Sequence, residues 1–271
     1  VDGIFSSIGG DDSIRVVPYL DPEVLRRNPK VFLGYSDTTS IHLFYQKHGL
    51  VSFYGPSIMS GLASKGGMER YTEDALRGMI GGGSFPRQLE PNSTGVPTEM
   101  LNWDDYKDEA IAPARDHERP WIFRQGQGRH EGRSIGGCFE ILSLMANGTS
   151  IWPAIEEWEG RILLLEISFE MASPDFVTWF LRSLQAQGIL KRLKGIIFGK
   201  NHWRQVPAEL DEKIGVDLHK MIQVECKLPD LPVITGVHFG HICPAMTVPL
   251  GVRMEIDCDA KTIRVLESPV I

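Results

Sequence analysis

The sequence has no apolar run approaching the ~20 residues that a membrane-spanning helix needs, so neither a helical span nor a membrane partner is expected. No charged-then-apolar leader follows the opening Val1, which sets the expectation of a cytoplasmic protein. Cysteine is scarce. Cys138, Cys226, Cys243 and Cys258 lie far apart and form no C-x-x-C pair, which argues against a zinc knuckle or thioredoxin-type centre and for buried, reduced thiols. Positive charge is in deficit as well: 28 Lys and Arg stand against 35 Asp and Glu, a formal net charge of -7. The basic residues are scattered rather than clustered, so no stripe can neutralise phosphates and nucleic acid is not an expected partner. Neither G-x-G-x-x-G nor a P-loop occurs. The acidic pairs Glu156-Glu157 and Asp104-Asp105 have no His or Cys at ligand spacing and read as solvated faces, so no metal and no cofactor are expected.

What the 271 residues do contain is an alternation of short apolar runs with helix-period stretches. Gly3 to Ile8, Val31 to Gly34, Arg161 to Ile167 and Gly195 to Phe198 read as strands, each near a helical segment, which favours α/β with a largely parallel sheet. Thr38 to His48 places Ile41, Phe44, Tyr45 and His48 on one helix face and stops at Gly49. Ser173-Pro174-Asp175 opens a second helix, which can run to Gly188. From Gly81 to about Gly132 the periodicity fails. The expected organisation is an N-terminal parallel-sheet α/β domain over residues 1–90 bearing a nucleophile elbow, a connection and substrate loop over 91–132, and a C-terminal α/β domain with more β character over 133–271, including strand-like Val248 to Ile256 and Thr262 to Leu266.

Three places carry chemistry. Val31-Phe32-Leu33-Gly34-Tyr35-Ser36-Asp37-Thr38 is a strand that breaks at a glycine, presents a serine and enters a helix, a turn that lifts the hydroxyl clear of the backbone. The Asp37 amide then faces the place where an oxyanion forms. Ser36 and Asp37 acting only as helix caps is the competing reading. Gly9-Gly10-Asp11 follows another strand and exposes backbone N–H groups, so Gly10 can supply a second oxyanion donor, although a simple turn explains the same residues. Glu166 ends a buried-looking strand, where a carboxylate needs a partner to offset its desolvation. His238 and His241 lie in a glycine-rich loop suited to a general base, His241 being preferred. The order Ser, Glu, His supports a hydrolase triad.

Gly9-Gly10-Asp11, Gly34-Tyr35-Ser36-Asp37, Leu165-Glu166, Phe239-Gly240-His241 and Pro249-Leu250-Gly251 together resemble the LD-carboxypeptidase family of serine peptidases, over nearly the whole chain. The resemblance implies a nucleophile at Ser36, a base at His241, an orienting carboxylate at Glu166, oxyanion donors at Asp37 and Gly10, and a homodimer. It also implies a further strand and helices ahead of Val1. Around Asn102-Trp103 and Pro120-Trp121 the sequence looks more like the microcin C self-immunity branch than the peptidoglycan-recycling branch. That branch cleaves aminoacyl-nucleotide amides, with Trp103 first and Trp121 second as aromatic residues to stack on the base, and Gly9 and Asp11 beside the substrate. Packing of these tryptophans onto the body is the alternative. A murein tetrapeptide carboxypeptidase and a non-catalytic ligand-binding relative are the rival functions. Cys138 departs from the asparagine expected after Gly136-Gly137, and as a thiol it is a remote second candidate for the nucleophile.

Overall fold

In the computed structural model, residues 1–64, 67–97, 115–116, 120–168, 172–201 and 206–270 are described. The fold is α/β, built on two main sheets. The first has four strands in the order β1 (Gly3–Phe5), β2 (Val31–Gly34), β3 (Ser52–Tyr54) and a late strand, Val248–Leu250. Its first three strands are parallel and the late one is antiparallel. The second sheet has eight strands. At its centre run four parallel strands: Arg129–Cys138, Arg161–Glu166, Gly195–Gly199 and Val233–Val237. Antiparallel strands flank them: Arg253–Asp257, Thr262–Val265 and Arg87–Gln88 on one side, Ile122–Gln125 on the other.

Arg161–Glu166 and Gly195–Gly199 read as apolar runs because both of their faces are covered. Along Arg161–Glu166, Leu163 and Leu165 enter one core with the helices, while Ile162 and Leu164 enter a second core with Leu33, Phe53 and Val248 of the smaller sheet. Each such buried aliphatic side chain contributes on the order of 1.5–3 kcal/mol relative to exposure. The helix Pro174–Ala186 turns Val177, Phe180, Leu181 and Leu184 into the first core, at helical spacing. Pro174 stands in its first turn, and Gly188 (φ 76°) follows its end.

Several expectations shift. The first strand stops at Phe5 rather than Ile8. Residues 87–88, expected in the N-terminal domain, and 122–125, expected in the connection, are strands of the larger sheet. Val248–Leu250 crosses back into the N-terminal sheet, so a cut at residue 133 divides the chain but not the sheets. Such edge pairings join residues distant in sequence and leave little local pattern. All four cysteines are free thiols, with Cys243 only partly buried. No helix among the described residues is long and apolar enough to cross a membrane.

The helix after Ser36, Thr39–Lys47, buries His42 completely. The His42 ring bridges Ser52 Oγ (2.8 Å) and the Gly34 carbonyl (3.0 Å), tying β3 to the end of β2. Burial pushes its pKa down to about 4 from 6.5, against the opposing pull of the Gly34 carbonyl. The unfolded chain therefore takes up a proton below about 6.5 that the folded chain refuses until about 4, and stability present above 6.5 is lost as pH falls through that window. The loss should approach about 3 kcal/mol. Urea midpoints measured from pH 7 to 4.5 should fall steeply for the natural protein and less steeply for His42→Gln, even though that variant is weaker throughout. Parallel curves would remove His42 as the cause.

Candidate active site

Three strands direct their carboxyl ends to one place, the edge at which α/β folds gather their chemistry. The smaller sheet supplies Ser36 just beyond β2, and the larger sheet supplies Glu166 at a strand end and His241 four residues after Val237. Ser36 takes φ 60°, in the left-handed region that serine occupies at a cost. Tyr35 before it is extended and the chain turns helical at Ser36, so the side chain is thrown outward from the turn. Gly9 packs directly over it: a Cβ at Gly9 would lie 3.1 Å from Ser36 Oγ. Gly34 is equally constrained, since a Cβ there would meet Ser6 Oγ and Thr38 Oγ1, each at 2.7 Å.

His241 Nε2 lies 3.1 Å from Ser36 Oγ, and its Nδ1 lies 2.7 Å from Glu166 Oε2. The backbone N–H of His241 also donates to Glu166 Oε2 (3.2 Å). Glu166 is 1% exposed. Burial by itself would raise the carboxyl pKa, but the His241 imidazole and hydrogen bonds from His241 and Tyr54 outweigh it and hold the group below the usual carboxylate value. The loop comes this close because residue 240 is glycine. At φ 90°, a Cβ would stand 2.4 to 2.5 Å from the Glu166 side chain. A hydroxyl, an imidazole and an ionised carboxylate in this order can move a proton off the hydroxyl and stabilise the resulting imidazolium.

The Asp37 amide is the second N–H of the helical run that opens at Ser36, within the first turn whose amides lie outside the hydrogen-bond ladder, as an oxyanion donor requires. The sequence pointed only to that amide. The structure adds the side chain, whose Oδ2 accepts from both the N–H (2.9 Å) and the hydroxyl (2.6 Å) of Ser13. This ties the Gly9-Gly10 loop down over the elbow. Gly10 has φ 145°, and a Cβ there would sit 3.6 Å from Asp37 Oδ2. Asp11 is exposed.

Other candidates separate from this group. Trp121, expected to face the substrate, is instead a core residue, 8% exposed, whose indole N–H donates to His238 Nδ1 at 3.0 Å. The same bond removes His238 as the base, for its ring is fully buried and engaged by Trp121. Trp103 lies outside the described residues. Cys138 is 2% exposed and its thiol donates to Glu140 Oε2 (2.9 Å). Burial, with the carboxylates of Glu166 and Glu140 nearby, raises its pKa well above normal, which disfavours the thiolate a nucleophile needs. Among the described residues, Cys138, Glu166 and His241 are the one group bringing three possible metal-ligand atoms within 4.8 Å of one another. Glu166 and His241 are already spent on each other there. Tyr54, which no sequence feature singled out, completes the group through its hydrogen bond to Glu166.

Comparison with known proteins points the same way. The family model for the LD-carboxypeptidase N-terminal domain matches residues 1–55, and that for the LD-carboxypeptidase C-terminal domain matches residues 131–256. The microcin C7 self-immunity protein MccF of Escherichia coli is 30% identical over 98% of this chain and 74% of its own length. A solved structure of a microcin C7 self-immunity protein MccF in complex with aspartyl sulfamoyl adenosine superposes with TM-score 0.83 at 27% identity, covering 100% of this chain and 77% of that one. An MccF-like protein from Streptococcus pneumoniae in complex with AMP gives TM-score 0.76 at 28% identity, over 99% of this chain and 79% of the other.

Proposed function

The chain belongs to the LD-carboxypeptidase family of serine peptidases, and on that footing we propose that it hydrolyses the amide of an aminoacyl-nucleotide or small peptide-like substrate through Ser36, His241 and Glu166. The observation that carries the reading is one imidazole placed 3.1 Å from a strained serine hydroxyl and 2.7 Å from a buried carboxylate. His241 Nε2 takes the proton as Ser36 Oγ adds to the carbonyl carbon, and the amides of Asp37 and Gly10 receive the oxyanion. Collapse breaks the C–N bond while the imidazolium returns the proton to the leaving nitrogen. Water, deprotonated by the same ring, then releases the acid and restores Ser36. Glu166 fixes the tautomer and stabilises the charged ring.

The aminoacyl-nucleotide preference rests on the likeness to proteins solved with aspartyl sulfamoyl adenosine and with AMP. It also rests on Trp103 as a planar partner for the base. The reading includes a homodimer, as the family resemblance implies. Aspartyl sulfamoyl adenosine and a murein tetrapeptide assayed side by side test it, the first being cleaved with the higher kcat/KM. The opposite preference would assign the protein to murein peptides. Binding of either without turnover, in folded protein, would overturn hydrolysis itself.

Gly240→Ala is a test of geometry rather than of reacting groups. Its methyl group must displace the Glu166 carboxylate. Turnover of aspartyl sulfamoyl adenosine should fall by about 100-fold or more, the scale on which misplacement by an ångström is felt. Unaltered kcat would mean that the Glu166 position is not critical.

A further inference from the structure

Tyr54 ends β3 beside Gly34, its register partner in β2, and is 1% exposed. Its hydroxyl accepts a hydrogen bond from the Ser36 backbone N–H at 3.0 Å and donates one to Glu166 Oε1 at 2.5 Å. Phe239 lies edge-on to its ring at 6.2 Å and His42 is tilted against it at 5.4 Å, so the ring has little freedom to turn. One oxygen thus joins the serine of the smaller sheet to the carboxylate of the larger. The two oxygens of Glu166 are divided: Oε2 serves His241 and Oε1 serves Tyr54.

We propose that Tyr54 is the positioning residue of this site, a hydroxyl clamp that holds the strained Ser36 backbone and the Glu166 carboxylate in register across the two sheets and sets the basicity of the His241–Glu166 pair. This rests on the proposed triad. The bond from Tyr54 lowers electron density on the carboxylate, so its removal makes the pair more basic. The ionisable groups facing Glu166 are His241, Tyr54, Tyr35, whose ring meets the His241 ring edge-on at 4.9 Å, and Cys138, which is backed by Glu140. Of these, Tyr54 and His241 hydrogen-bond to it directly. Tyr54 also withdraws the Ser36 amide from any part in oxyanion binding, which leaves that part to Asp37 and Gly10.

The test is Tyr54→Phe, which keeps the ring and deletes the hydroxyl. In folded protein, kcat for aspartyl sulfamoyl adenosine should fall about 10- to 100-fold with KM little changed. The His241 imidazole, followed by NMR in 15N-histidine-labelled protein, should titrate about one pH unit higher than in the natural protein, as loss of a hydrogen bond to a charged group implies. A residue that only supports the fold would lower stability without moving that midpoint. 3-Fluorotyrosine installed at position 54 keeps the hydroxyl as a stronger donor and should move the midpoint the other way, which keeps the proposal testable should Tyr54→Phe not fold. The NMR readout needs no substrate, so a wrong substrate assignment shows as absent turnover with the midpoints still displaced. Midpoints identical in the natural protein and in whichever variant folds would overturn the proposal.

Discussion

Ser36→Ala should reduce kcat for aspartyl sulfamoyl adenosine by about 10⁴- to 10⁶-fold, the scale seen when a triad nucleophile is removed. The loss is so large because no neighbouring group can take over. His241 would keep its bond to Glu166 but have no hydroxyl to activate, and the Cys138 thiol, buried and bound to Glu140, is held in its protonated form. Substrate binding should survive, since the change removes one oxygen, and the fold should persist, alanine keeping the same Cβ at the left-handed residue. Binding by calorimetry alongside turnover separates the effects. Near-natural turnover in folded Ser36→Ala would remove the serine from the mechanism.

Glu166→Gln should cost about 10⁴-fold in kcat, for a subtler reason. The amide preserves size and can still accept from Tyr54 through its oxygen. With its oxygen toward Tyr54, its NH2 group faces His241 Nδ1 and donates to it, which fixes the ring proton on Nε2, and the His241 backbone N–H loses the oxygen it donated to. In that tautomer the ring donates toward Ser36 Oγ and cannot accept its proton. The buried negative charge that would stabilise the imidazolium is also gone. KM should change little, and stopped-flow acylation should show the chemical step slowed. A variant within about tenfold of natural kcat would mean that the carboxylate charge is not required.

Ser36, Glu166 and His241 were legible because each sits at a local discontinuity: a serine at a strand-to-helix break, a charged residue ending an apolar strand, a histidine among glycines. The structure brings the three within hydrogen-bonding range. Two of the central parallel strands, Arg161–Glu166 and Gly195–Gly199, were legible for a similar reason, as short apolar runs, whereas Arg129–Cys138, polar and glycine-rich over its first half, carried no such pattern. Tyr54 had no such signature. A tyrosine ending the three-residue strand Ser52–Tyr54 differs in no local respect from a packing residue, and its role comes from Glu166, 112 positions away. Trp121 shows the opposite error. Its Pro-flanked, aperiodic surroundings resemble a surface loop, yet a hydrogen bond to His238, 117 positions away, places the indole in the core. The Asp37 side chain left no local signal either, because its partner, Ser13, opens the short helix just after the other glycine-marked loop.

The central claim is that the acyl group passes through the hydroxyl of Ser36. Rapid acid quenching during turnover of aspartyl sulfamoyl adenosine, followed by peptide mass spectrometry, tests it most directly. An aspartyl ester on the peptide containing Ser36, absent from the Ser36→Ala protein, is the expected result. An adduct on Cys138 or any other residue, with Ser36 unmodified throughout turnover, would contradict it.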